Sequence, residues 1–270
     1  MLKLRYIRFC CRGDIRQPFN NTHIVDLYQI SSKDFGCYQI LNEFFNIMTT
    51  NKKVSKNQAQ RRLELIKQEK ALESVPVEFS VFCDLCKCLL KLFEDPSIKP
   101  DDYTAIYSGY LEYLVMQWKK TPGSNAKVAF EPVIKYKRRE LFRGLPFANS
   151  KCDVVFKDTK NKSFAVYECK YGMYFFLCHL RCNINDPNIS DNHRKKVKRA
   201  HNKISYLKRC EQLFSSNGPF DISNCDVKII TFATRTSLNT SLNNSSNILS
   251  GLNILTREDI EDKDFFDKIS

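Results

Sequence analysis

The chain has 270 residues, of which 43% are hydrophobic, and its 43 Lys and Arg exceed its 30 Asp and Glu, which gives a formal net charge of +13 at pH 7. This composition excludes a disordered or fibrous protein and predicts one large folded domain or one and a half. The strongly basic balance indicates a polyanionic partner such as nucleic acid.

The sequence predicts no membrane span and no secretion signal. The longest apolar run, 173–180, is interrupted by His179 and is far shorter than the roughly 20 residues of a spanning helix. Basic residues recur through the first segment, MLKLRYIRFCCR, where a signal peptide requires an unbroken apolar stretch. We therefore expect an intracellular protein, in the cytoplasm or, if the source is a eukaryote, in the nucleus, with reduced cysteines.

The first 120 residues have the pattern of a mainly helical region. A short strand or arm and a loop are expected in 1–33, and apolar residues then recur at three- and four-residue steps. The predicted helices are 34–49, 52–73, 78–93 and 101–120. We assign 1–100 to a mainly helical N-terminal region and 101–270 to a second domain.

The rest of the chain alternates between strand and helix patterns. Runs rich in β-branched and aromatic residues predict strands at 127–137, 152–156, 163–170 and 227–234. A basic helix at 193–214 precedes the fourth of these strands, and the aromatic segment 171–191 either extends the third strand or forms an insertion. A loop at 237–251, a short strand at 252–255 and a helix at 258–269 follow. The fold class is therefore α/β (α+β).

The segment CDVVFKDTKNKSFAVYECK, residues 152–170, predicts a β-hairpin with a polar turn. A symmetric hairpin places Asp153 directly opposite Glu168, at roughly 5 Å between Cβ atoms. Lys170 projects from the same face because side chains alternate along a strand. Two neighbouring carboxylates favour a hard divalent cation, and an ammonium beside them can orient water or neutralise phosphate charge. The arrangement predicts cleavage of phosphodiester bonds.

Asp153, followed after fourteen residues by Glu168-Cys169-Lys170, resembles the signature of the PD-(D/E)xK, or restriction-endonuclease-like, nucleases. The run FAVYECK is most similar to that of Holliday-junction resolvases and Mrr-type restriction enzymes. The resemblance implies a restriction-endonuclease-like core in 101–270, with a mixed central sheet flanked by helices. In this core Asp153, Glu168 and the carbonyl of Cys169 would bind Mg²⁺ or Mn²⁺, and Lys170 would assist the attacking water. It also implies a homodimer if the protein cuts both strands of DNA.

Two positions qualify this resemblance. Cys152 stands where the family has proline, a position that supplies no ligand atom. The family often has another acidic residue on the first helix of the core, and Glu112 is the candidate because small residues share its helix face and allow close approach to the sheet. Glu131 and Glu140 are alternatives to Glu112, and an ordinary surface glutamate is the simplest explanation of any of them.

Two basic clusters predict contacts with nucleic-acid phosphates, most naturally those of DNA. The candidates on the 193–214 helix and between the first two strands are Lys195, Lys196, Lys198, Arg199, Lys203, Arg138 and Arg139.

Two other functions compete with a nuclease. The first is a noncatalytic nucleic-acid-binding or scaffold protein that retains the nuclease fold. The second is a zinc-stabilised adaptor, for which the cysteine and histidine candidates are Cys83, Cys86, Cys88, Cys178, His179 and Cys182. The helical periodicity around the first three cysteines favours thiols packed in a core over zinc ligands.

Overall fold

The computed structural model describes residues 1–10, 20–48, 54–120, 126–243 and 246–270. Its strands form two sheets. In chain order they are β1 (Ile7–Cys10), β2 (Lys127–Phe130), β3 (Val133–Tyr136), β4 (Arg139–Glu140), β5 (Val154–Asp158), β6 (Ser163–Cys169), β7 (Asn224–Ile230) and β8 (Asn253–Leu255).

The larger sheet is mixed and has the order β2-β5-β6-β7-β8. Its first three strands are antiparallel, whereas β7 and β8 run parallel to β6. The smaller sheet, β1-β3-β4, is antiparallel throughout. The predicted α/β class with a mixed sheet flanked by helices is confirmed.

Helices account for most of the remaining described chain. They are α1 (Thr22–Ser31), α2 (Phe35–Ile47), α3 (Lys56–Leu72), α4 (Phe79–Glu94), α5 (Pro100–Lys119), α6 (Tyr174–Arg181), α7 (Asp191–Phe214), α8 (Arg235–Asn243), α9 (Ser246–Leu249), α10 (Arg257–Ile260) and α11 (Lys263–Phe266). No helix in the described ranges is both long enough and apolar enough to cross a bilayer.

The hairpin of β5 and β6 has the register that its sequence predicts. Val154 pairs with Tyr167 and Asp158 pairs with Ser163, so the ladder is symmetric about the turn. The Asp158 carboxylate closes the turn by accepting hydrogen bonds from the backbone N–H groups of Lys160, at 2.9 Å, and Asn161, at 3.1 Å. The short polar turn therefore fixes which residues face each other at the open end of the hairpin.

Alternation along β5 and β6 divides the hydrophobic core into two layers. Val154 and Tyr167 belong to a core formed with α1–α5 and the C-terminal helices. Val155 and Val166 belong to a core formed with α6, α7 and the smaller sheet. Because successive side chains point to opposite faces, every strand position has a defined side of the sheet.

The N-terminal helices share their core with the C-terminal end of the chain. The Tyr38 hydroxyl donates to the backbone carbonyl of Ile260 at 2.7 Å, and the Tyr28 hydroxyl donates to that of Ile269. The hydrophobic core is thus continuous across residue 100, while a functional boundary at that position stays a prediction.

Several predicted elements differ from the structure. The single strand predicted at 127–137 is two strands in different sheets, because Glu131 adopts a positive φ of 37° and Pro132 has no N–H for a ladder. The predicted loop at 237–251 contains α8 and α9, and 171–191 contains α6 and does not extend the third strand. The predicted helix at 258–269 is two short helices, α10 and α11. The predicted stop at Thr121-Pro122-Gly123 lies outside the described residues.

Candidate active site

The two carboxylates predicted to face each other lie together at the open end of the hairpin. Asp153 directly precedes β5, and its Oδ2 accepts a hydrogen bond from the backbone N–H of Cys169 at 2.7 Å. Glu168 is fully buried near the end of β6, with 0% of its surface exposed. By alternation both side chains share the face that α7 covers, whereas Cys169 belongs to the core on the other face.

Two lysines bridge this acidic pair. The Lys170 ammonium contacts Glu168 Oε1 and lies 3.7 Å from Asp153 Oδ2. The Lys203 ammonium, from the middle of α7, lies 2.8 Å from Glu168 Oε2 and 4.0 Å from Asp153 Oδ1, and it also donates to the carbonyl of Lys151. The predicted meeting of Asp153, Glu168 and Lys170 is present in the structure, and Lys203 joins it.

The pKa values of Glu168, Lys170 and Lys203 are all raised, but for different reasons. Burial, followed by the neighbouring Asp153 carboxylate, raises the pKa of Glu168 above its usual value. Burial opposes the charge of both lysines, but Glu168 and Asp153 together raise the pKa of Lys170 and of Lys203 above the usual range. Both ammonium groups are therefore protonated at neutral pH.

Glu112 approaches the cluster from α5, on the opposite side of the sheet. Burial first, and then the Asp153 carboxylate, hold the pKa of Glu112 well above its usual range. Within the described residues Glu112 makes no hydrogen bond and no ion pair. It lines a cavity of about 450 Å³ together with Glu131, whereas Glu140 is exposed on the smaller sheet opposite Lys135. Of the three alternatives, Glu112 is the one whose pKa is shifted by the acidic pair.

The cluster has the donor set for a divalent cation, although the lysines stand between its carboxylates. In the described part of the chain, no group of three His, Cys, Asp or Glu side chains is close enough to hold an ion as it stands. Two features nevertheless fit a cation: Glu168 Oε2 is buried without a hydrogen bond of good geometry, and Glu112 is unpaired. If Asp153, Glu168 and Glu112 are all ionised, their three negative charges exceed the two positive charges of the neighbouring lysines by one.

The predicted phosphate-binding residues occupy two exposed surfaces and one partly buried position. Lys195, Lys196, Lys198 and Arg199 are exposed on α7. Arg138 and Arg139 are exposed at the turn between β3 and β4. Lys203 does not belong to either exposed group, because its ammonium lies against Glu168.

Sequence reasoning missed the inward position of Lys203, and the helical spacing contained the signal for it. Ala200 and Leu207 are buried on α7, and Lys203 lies three residues after the first and four before the second. Residues at these spacings share one face of a helix. The spacing therefore places Lys203 on the side that packs against the sheet.

The predicted zinc ligands are divided between two helices. Cys83, Cys86 and Cys88 lie on α4, where burial raises the pKa of Cys86 to about 12 and that of Cys88 to about 11, as expected of packed thiols. Cys182 follows α6, and its Sγ lies 3.5 Å from Nε2 of His193. The two cysteine groups therefore do not form one site.

Comparison of the chain with protein-family models, with curated proteins and with solved structures found no match. The residues of the site are therefore what indicates a function.

Proposed function

We propose that the protein is a metal-dependent nuclease of the PD-(D/E)xK type that hydrolyses phosphodiester bonds of DNA. The observation that supports this proposal is the convergence of Asp153, Glu168 and Lys170 at one end of a hairpin, with Glu112 facing them from α5. The chain order α5, β2, β5, β6, α7 and β7 is compatible with a restriction-endonuclease-like core.

The residues that would hold Mg²⁺ or Mn²⁺ are Asp153, Glu168, the carbonyl of Cys169 and Glu112. These are hard oxygen donors of the kind that both ions prefer, and the carbonyl of Cys169 already accepts a hydrogen bond from Lys170 at 3.2 Å. When bound, the ion lowers the pKa of a water molecule and neutralises charge on the phosphate.

The two lysines provide positive charge next to the reacting phosphate. Because the pKa of Lys170 is raised, its ammonium donates hydrogen bonds and does not accept a proton, so it can hold the attacking water or a phosphate oxygen. Lys203 stabilises the ionised form of Glu168, which burial would otherwise keep protonated. The exposed cations of α7 and of the β3–β4 turn bind phosphates on either side of the scissile bond.

A nuclease assay with matched variants tests the proposal. The substrates are supercoiled, linear, single-stranded and branched DNA, each with Mg²⁺, with Mn²⁺ and with a chelator. Asp153→Asn and Lys170→Met should each reduce the cleavage rate by about 100-fold or more while DNA binding in the chelator stays within a few-fold of wild type. Glu140→Gln, an exposed acid on the smaller sheet, is the control and should cleave normally.

The alternative is a noncatalytic nucleic-acid-binding protein that retains this fold. One observation favours it: Lys170 and Lys203 already neutralise Asp153 and Glu168 without an ion. If wild-type protein free of contaminating nuclease binds DNA but cleaves none of the substrates with either cation, this alternative replaces the nuclease. Double-strand cutting would also require two sites, and sedimentation of the active protein tests for the homodimer.

A further inference from the structure

We propose that Tyr174 and Phe175 form a stacking platform for unpaired DNA bases, so that the preferred substrate has a single-stranded segment beside the cleavage site. This inference rests on the proposed nuclease function and names its substrate class. Three observations support it: the exposure of two neighbouring aromatic rings, their position next to Lys170, and their position next to the exposed cations of α7.

The two rings are exposed although both are large and apolar. Tyr174 is 60% exposed and Phe175 is 65% exposed, and their ring centroids are 5.5 Å apart in an edge-to-face arrangement. An exposed pair of aromatic faces is a common feature of surfaces on which nucleobases stack, because every base presents a π-face. The neighbouring Phe176, in contrast, is buried and anchors the start of α6.

The anchor of α6 lies directly against the proposed site. The Lys170 ammonium is 5.8 Å from the centroid of the Phe176 ring. The chain passes from Lys170 to Tyr174 in four residues, which span at most about 14 Å when fully extended. The Tyr174–Phe175 pair therefore lies within a few nucleotides of any phosphate bound at Lys170.

The face of α6 that carries Phe175 continues to a contact with α7. Phe175 and His179 are one helical turn apart, and the ring of His179 is 5.2 Å from the ring of His193 on α7. Lys196 follows His193 by three residues and therefore lies on the same face of α7. A strand bound to the α7 cations would thus pass the aromatic pair.

Unpaired bases fit this surface better than a duplex does. In a duplex the bases are stacked inside the helix, and a protein contacts mainly the phosphates and the groove edges. A single strand can place its bases on aromatic rings while its phosphates contact nearby Lys and Arg. The combination of adjacent rings and exposed cations therefore favours single-stranded ends, flaps or junctions as substrates.

Fluorescence of 2-aminopurine in a single-stranded DNA oligonucleotide tests the inference without cleavage, in the presence of a chelator. Binding of the wild type should change the fluorescence through stacking, and the Tyr174→Ala/Phe175→Ala variant should lose this response. Its affinity for the single strand should fall about tenfold or more, whereas its affinity for a duplex of equal length should change less than twofold. Phe79→Ala, which removes a 70% exposed aromatic ring from α4, is the control and should behave as wild type.

The outcomes separate this inference from the proposed function. The stacking platform is wrong if the double variant binds both oligonucleotides with wild-type affinity. It is also wrong if the affinities for the single strand and for the duplex fall by the same factor. A change in oligomeric state of the double variant by light scattering would also overturn it, because the rings would then form a protein interface. If the fluorescence response depends on the rings but no DNA is cleaved, the platform stands and the nuclease proposal fails. If the double variant cleaves at the wild-type rate, and single-stranded and duplex substrates are cleaved equally fast, the nuclease proposal is supported and the stacking platform is wrong.

Discussion

Replacing Glu112 with Gln is the sharpest test of the acidic cluster, because it should increase stability and abolish metal-dependent function together. Glu112 is half-buried and unpaired, and the Asp153 carboxylate faces it. An unsatisfied buried polar group costs about 1–3 kcal/mol, and partial exposure places Glu112 near the lower end of that range. We therefore expect Glu112→Gln to raise the free energy of unfolding by about 1 kcal/mol at pH 7 without metal.

The increase in unfolding free energy caused by Glu112→Gln should depend on pH in one direction. Because the folded protein raises the pKa of Glu112, it binds the proton more tightly than the unfolded chain does. The contribution of Glu112 to stability is therefore greatest below the usual glutamate pKa and is lost as the pH rises through the folded value. The difference between Glu112→Gln and wild type should vanish near pH 4 and be largest at high pH.

Thermal unfolding with and without Mg²⁺ measures both effects. A gain of 1 kcal/mol corresponds to a rise of a few degrees in Tm for a chain of this size. Wild type should gain about 2.7 kcal/mol when Mg²⁺ is present at 100 times its Kd, and the variant should lose most of this gain. Glu140→Gln removes the same charge from an exposed position and should alter neither quantity. Destabilisation by Glu112→Gln, or an unchanged response to Mg²⁺, would refute the assignment of Glu112 to the site.

Two further predictions concern the shared core. Burial raises the pKa of Glu261 to about 8 even though Arg257 lies nearby. The free energy of unfolding should therefore fall by a few kcal/mol as the pH rises from about 4 to 8. Urea titrations of Glu261→Gln should no longer show this pH dependence. Parallel pH profiles of variant and wild type would contradict this. Gly36→Ala would place a Cβ 2.4 Å from the carbonyl oxygen of Pro76. In urea unfolding this variant should lose about 1–3 kcal/mol of unfolding free energy. An unchanged midpoint would contradict the close packing of α2.

The parts of the structure that local patterns determine could be predicted from the sequence. The helix predicted at 34–49 is α2, and Asp34 caps it by accepting a hydrogen bond from Cys37 N at 2.8 Å. The hairpin register follows from a short polar turn between two apolar runs, and it places Asp153 opposite Glu168. Both predictions depend on neighbours within about twenty residues, so no tertiary information was needed.

Elements whose form depends on tertiary packing were predicted poorly. Strands β2 and β3 form one continuous pattern in the sequence, yet each pairs with a different sheet. The Asn- and Ser-rich stretch that contains α8 has the composition of a loop, although Leu238 packs into the core that includes α6 and α7. Burial overrides composition at these positions, and the sequence alone does not reveal which neighbour will cover them.

The positions of the lysines show why the count of basic residues overstates the number of cations that are available to nucleic acid. Lys170 and Lys203 are counted among the 43 Lys and Arg, but their ammonium groups lie against Asp153 and Glu168. Lys70 is buried, and its ammonium is likewise paired, 3.4 Å from Glu43. Such internal pairs do not contribute to the long-range attraction of phosphates, because each is neutralised where it stands. The attraction must therefore come from exposed cations such as those of α7 and the β3–β4 turn. The role of Lys170 and Lys203 is local, because their ammonium groups set the charge balance of the acidic cluster.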